Sequence, residues 1–185
     1  MINFIKEHSY TIVKMIINQI GLTFFGLVLA FATSTNETLL LVTSIFSICF
    51  YLFLLYTMTW EVGAKEKIRI DSGRATKKPF TGLLIALCAN LINILMGIIL
   101  CVTKLFIAEG DMSSIAFKIN QIINAAARFL EAMYLGVIVL FSPYNPIIFL
   151  LIPLPAIAVC GLAYWAGLHD FKVTSFLGIN TKAKK

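Results

Sequence analysis

The residues best suited to chemistry lie in one run, N-Q-I-I-N-A-A-A-R-F-L-E at 120–131, inside a chain that is otherwise strongly apolar. On a helix of about 100° per residue, Asn120, Gln121, Asn124, Arg128 and Glu131 fall within an arc of about 100°. Ile119, Ile122, Ile123, Ala126, Phe129, Leu130 and Met133 fill the other side. Arg128 and Glu131 stand at i, i+3 and can pair. A guanidinium steadied by a carboxylate can hold an anionic group. Two further helix faces carry polar side chains. Ala86, Asn90, Asn93, Gly97 and Cys101 share an arc of about 80°, and Gln19, Thr23, Gly26 and Ala30 one of about 60°. Small and amide side chains are what membrane helices use to approach each other and hydrogen-bond. Packing seams and polar glue are therefore the plainer account. The sharper one is that Gln19, Asn90, Asn93, Asn124, Arg128 and Glu131 converge on one polar cavity.

The elements that must position these residues are membrane helices. Of 185 residues, 59% are hydrophobic and 13% charged, against about 25% charged in soluble domains. Residues 15–33, 39–60, 80–103 and 147–166 are uncharged runs close to or beyond the roughly 20 residues that span a bilayer. Burying four such runs in a soluble core of this size is implausible on surface-to-volume grounds. The expected fold is all-α, a single-domain polytopic bundle. The first run is longer than the 7–15-residue core of a signal peptide and is expected to be a retained span.

Basic residues set the orientation. Lys6 and Lys14 precede the first span, and the turn at 34–38 has no base. Loop 61–79 carries Lys65, Lys67, Arg69, Arg74, Lys77 and Lys78. The next turn has Lys104 alone, and the last tail has Lys172, Lys182, Lys184 and Lys185. The N-terminus and loop 61–79 are expected to be cytoplasmic. The tail's bases put it inside too, which needs an even number of crossings, yet counting 113–141 and 147–166 as full spans gives five. Two arrangements follow. In the preferred one, an amphipathic helix at about 113–134 lies on the outer interface with its polar stripe in water. Residues 135–141 then dip in and return, and the chain crosses four times. In the other, the helix crosses with its stripe facing the bundle, because a charge at mid-membrane costs roughly 2.5–3.5 kcal/mol.

Loop 61–79 has Tyr56 and Trp60 at headgroup level, and its bases alternate with Ile68 and Ile70 as in a short extended or surface-lying piece. Asp71-Ser-Gly73 is a turn signal and Pro79 a first-turn proline opening the third span. Trp60, Lys65, Lys67, Arg69, Arg74, Lys77 and Lys78 are candidate contacts for anionic lipid or a partner. The net charge of +6 sits next to membrane segments rather than on a folded polar face, which argues against nucleic acid. Cys49, Cys88, Cys101 and Cys160 lie in apolar runs without ligand spacing, so neither a metal nor a disulfide framework is expected. No phosphate-binding loop, G-x-S-x-G or H-E-x-x-H occurs. No set of residues has catalytic roles, and no cofactor is expected.

W-E-x-G-A-K at 60–65, the basic loop after it, and P-L-P-A-I-A-V at 153–159 with a downstream aromatic pair and glycine resemble uncharacterised small bacterial polytopic integral membrane proteins. That resemblance implies no activity. The wealth of Ile, Asn and Lys has a bacterial look. In size the chain is also similar to the membrane-embedded substrate-binding subunits of vitamin transporters. D-S-G-R-A at 71–75 resembles part of the lipid-alcohol phosphotransferase signature. The aspartates that hold that family's metals are absent here, so the class is set aside. The leading expectation is a non-enzymatic accessory or interaction subunit of a membrane complex, or a homo-oligomer. The alternative is a small-solute binding or transport protein with a polar intramembrane cavity.

Overall fold

A computed structural model describes residues 2–74, 76, 78–107, 115–141 and 145–171. The described residues are helical and contain no strand: α1 (Ile2–Thr33), α2 (Glu37–Asp71), α3 (Thr81–Ala89), α4 (Leu91–Phe106), α5 (Ile115–Leu130), a 3₁₀ turn (Ala132–Tyr134), α6 (Leu135–Phe141), α7 (Ile147–Leu151) and α8 (Pro153–Leu168). The all-α expectation holds. Three stretches are long and apolar enough to cross a membrane unaided, namely α1 from Phe4, α2, and α7 with α8. Two more qualify as bent pairs, α3–α4 with a 60° bend and α5–α6 with an 82° bend.

The α1–α2 hairpin turns at Asn36. Its extended backbone lets the side chain accept from Thr38 N and Leu39 N at 3.0 and 3.2 Å, capping α2. At 35 residues, α2 is about 52 Å long, well beyond a hydrocarbon layer of about 30 Å. The excess corrects the expected extended loop: residues 61–71 continue the helix. Glu61 and Lys65 pair at i, i+4 (2.7 Å), and extending an existing helix needs no new nucleus. Packing holds the extension in place. Gly63 and Gly167 bring α2 and α8 so close that a β-carbon on either would strike the other's backbone. The helix stops at Ser72, with Gly73 at φ +72°, where the turn signal stood. Pro79 lies in the turn before α3 rather than opening it, since α3 begins at Thr81.

Contacts fix the path of the chain. Glu7 pairs with Arg69 at 3.3 Å, Lys67 with Asp170, and Trp60 Nε1 donates to Phe171 O at 2.9 Å. The start of α1 and the ends of α2 and α8 therefore share one charged end. From there α3 and α4 run antiparallel to α8 and α7, Gly82 against Cys160 and Tyr164, then Gly97 against Leu150. The hairpin α5–α6 starts and finishes at the opposite end. Asn120 near its start donates to Thr103 Oγ1 and Leu100 O of α4. After the bend, Gly136 N donates to Ser44 Oγ, two turns from the start of α2. The chain thus passes between the two ends four times, with α5–α6 entering and leaving by the same end. This combines the two expected arrangements: the passage count of the first, with the helix running into the bundle as in the second.

Sidedness is inverted relative to a soluble protein. Phe31, Leu105 and Ile122 are 73%, 84% and 68% exposed. Thr23, Ser44, Ser47, Thr59, Asn90 and Asn93 are buried. Such an apolar exterior far exceeds the patches of soluble monomers and suits lipid contact, with polar groups turned inward.

Candidate functional site

Two helix breaks lie at a similar depth in the bundle. α1 packs antiparallel on α2, with Glu7 at Arg69, Asn18 at Met58 and Thr33 at Thr43. This register sets Thr23 near residue 53 of α2. Thr23 Oγ1 donates to Leu130 O at 2.7 Å, and Tyr51 is an electrostatic neighbour of Glu131 and Tyr134. The end of α5 therefore lies near the midpoint of the apolar run 39–60. Asn120 against Leu100 and Thr103 fixes where α5 starts on α4, and counting antiparallel from that contact puts Asn90 at about the depth of Leu130.

The break at Glu131 is held from outside. When a helix ends inside a bundle, its last carbonyls and the next helix's first N–H groups need partners. Thr23 of α1 takes the Leu130 carbonyl, and Ser44 of α2 accepts from Gly136 N at 2.8 Å. The 3₁₀ turn closes with Tyr134 N on Glu131 O at 2.8 Å. Glycines allow this approach. A β-carbon on Gly26 would meet the Met133 backbone at 2.6 Å, and one on Gly136 would run into Leu40 O. The α1 face of Gln19, Thr23, Gly26 and Ala30 is the seat of this turn.

Glu131 itself is 4% exposed, and its carboxylate accepts no hydrogen bond and makes no ion pair among the described residues. Two phenols, Tyr51 and Tyr134, lie within its electrostatic reach, and the Tyr134 hydroxyl is buried without a hydrogen-bond partner among the described residues. A carboxyl so placed must carry a proton or meet a cation.

The expected Arg128–Glu131 pair does not form. The helix ends between them, and Arg128 Nε donates instead to Asn124 Oδ1 at 2.7 Å. The stripe also divides: Asn120 binds α4, Gln121 is exposed, Asn124 and Arg128 are half-buried, and Glu131 enters the core. Asn90 and Asn93 are buried and answer each other. Asn90 Nδ2 donates to Ala86 O at 3.0 Å, and Asn93 Nδ2 donates to Asn90 Oδ1 at 3.4 Å. Gln19 is buried one turn from Thr23 and hydrogen-bonds to none of these groups.

The other predicted residues lie at the charged end. Lys65, Lys67 and Arg69 are engaged within the chain by Glu61, Asp170 and Glu7, and Trp60 by Phe171. Arg74 and Lys78 line a cleft there. Lys77 falls outside the described residues. Sequence reasoning missed Tyr51, Tyr134 and Ser44. A signal existed on α2, where Ser44, Ser47, Tyr51, Leu55 and Met58 recur at helical spacing and are all buried. No family model, curated protein or solved structure matches this chain.

Proposed function

We propose that the protein is a non-enzymatic multi-pass membrane protein that conducts a small cation or proton, with Glu131 as the ionisable group. The observation that carries this is a buried carboxylate, without a partner among the described residues, at the tip of a hairpin that enters and leaves by one end. Broken helices at mid-membrane depth are a recurrent way to build solute and ion sites in transporters. Ionisable groups are kept inside a bilayer chiefly where they work. In this proposal the charged end is cytoplasmic. Lys6, Lys14, Lys65, Lys67, Arg69, Arg74 and Lys78 lie on α1, α2 or the connection to α3 and favour that side.

The faces that argued for an accessory subunit are filled from within: Gly26 by Met133 and Gly97 by Leu150. One feature still favours a partner, the projecting end of α2 with exposed Ile68. The test is ion flux. Full-length chain in liposomes should dissipate an imposed proton or sodium gradient faster than empty liposomes, and Glu131→Gln should abolish the difference while eluting unchanged in gel filtration. Equal flux from wild type and empty liposomes, or undiminished flux in Glu131→Gln, overturns the proposal.

A further inference from the structure

The charged end holds a cleft that the ion site does not use. It lies between the first turns of α1, the extension of α2 and the connection to α3. Its two lobes, of about 290 and 370 Å³, share a wall of Glu7, Glu66 and Arg69. Glu7 and Arg69 pair with each other. Glu66 is 8% exposed, faces both lobes, and has neither a hydrogen bond nor an ion pair among the described residues. Arg74 and Lys78 line the larger lobe and make no ion pair there. His8 sits beside Glu66, and burial lowers its pKa, outweighing the raising effect of Glu7 and Glu66. The imidazole is thus neutral at pH 7 and does not answer the Glu66 charge.

The cleft therefore offers two cations to an anion and one buried carboxylate to a cation. We propose that it binds the zwitterionic headgroup of an ethanolamine phospholipid, the phosphate between Arg74 and Lys78 and the ammonium on Glu66. Each contact is a charge-assisted hydrogen bond. A purely anionic headgroup leaves Glu66 buried and unmet, which is costly. A choline headgroup brings charge but no N–H donor. The position fits a lipid, because Lys78 of the larger lobe stands two residues before the apolar run 80–103, whose first residue, Phe80, is 69% exposed and presents apolar surface.

The test is native mass spectrometry of the full-length chain in mild detergent with equimolar ethanolamine, choline and glycerol phospholipids. The ethanolamine lipid should be retained about tenfold over the other two, as expected for one charge-assisted hydrogen bond. Glu66→Gln should reduce it to the level of the choline lipid. Arg74→Ala with Lys78→Ala should lower retention of all three lipids, since each carries the same phosphate. Equal retention of ethanolamine and choline lipids by the wild type overturns the proposal, and that comparison needs no variant. So does an unchanged preference in Glu66→Gln. If soluble glycerophosphoethanolamine binds the delipidated chain as tightly as the lipid does, the lipid assignment fails.

Discussion

The chain breaks two helices at a similar depth, and the breaks are built differently. At Asn90 the backbone ladder runs on through the bend, with Asn90 N on Ala86 O at 2.9 Å and Ile94 N on Asn90 O at 3.0 Å. The side chains of Asn90 and Asn93 close on their own helix and on each other. This kink needs little from its neighbours. At Glu131 the α-helical ladder gives way to a single 3₁₀ turn, the chain turns by 82°, and Thr23 and Ser44 supply what the backbone lacks. Those two hydroxyls satisfy the main chain and leave the Glu131 carboxyl without a partner among the described residues. A self-sufficient break shapes a helix, whereas a break supported from outside can present a bare ionisable group.

The contrast is broken most severely by crowding the supported turn. Gly136→Val drives a side chain into Leu40 O and Ser44 Oγ. It should destabilise the chain by about 3 kcal/mol, the upper end of overpacking costs, read as a fall in thermal midpoint in detergent. Thr23→Val keeps the shape but leaves the Leu130 carbonyl unmet. That should cost about 1–2 kcal/mol and lower ion flux, because the turn carrying Glu131 loses its anchor. Asn90→Ala removes only local hydrogen bonds and should cost about 1 kcal/mol, with flux retained. A flux loss in Asn90→Ala as large as in Thr23→Val would erase the distinction between the breaks. The smallest effect is expected at the charged end. Lys65 holds the Glu61 carboxyl below its usual pKa, so its stabilisation is present above the ordinary carboxylate range and fades as pH falls through it. The pair is exposed, so Lys65→Ala should change the melting of the α2 extension by less than about 0.5 kcal/mol.

Much of this was legible in the sequence. The apolar runs predicted the helices, and 3.6-residue periodicity correctly grouped Ala86, Asn90, Asn93 and Gly97 on a buried face, as it did Gln19, Thr23, Gly26 and Ala30. Asp71-Ser-Gly73 marked the end of α2. The break at Glu131 was not legible, because no proline or glycine adjoins it and its supports lie 107 and 92 residues away. Drawing one helix through 113–141 produced both the false Arg128–Glu131 pair and the conflict over an odd number of crossings. The extension of α2 was hidden for a similar reason. Alternating Lys67, Ile68, Arg69 and Ile70 favour a strand-like piece locally, but the approach of α8 at Gly63 and Gly167 lies far off in sequence.

The central claim is that α5–α6 is a hairpin entering from the end opposite both α1's start and α8's finish, which is what delivers Glu131 to the middle. Its most direct test is cysteine accessibility in intact cells, on a background without native cysteines. Single sites at Asp71→Cys, Asn145→Cys and Asp170→Cys are labelled with a membrane-impermeant maleimide before and after permeabilisation. The fold described here predicts that Asp71→Cys and Asp170→Cys behave alike and opposite to Asn145→Cys; with the charged end cytoplasmic, as proposed, the first two react only after permeabilisation and Asn145→Cys reacts at once. Reaction of Asp170→Cys in intact cells with Asp71→Cys protected would mean five crossings, and the hairpin at Glu131 would be contradicted.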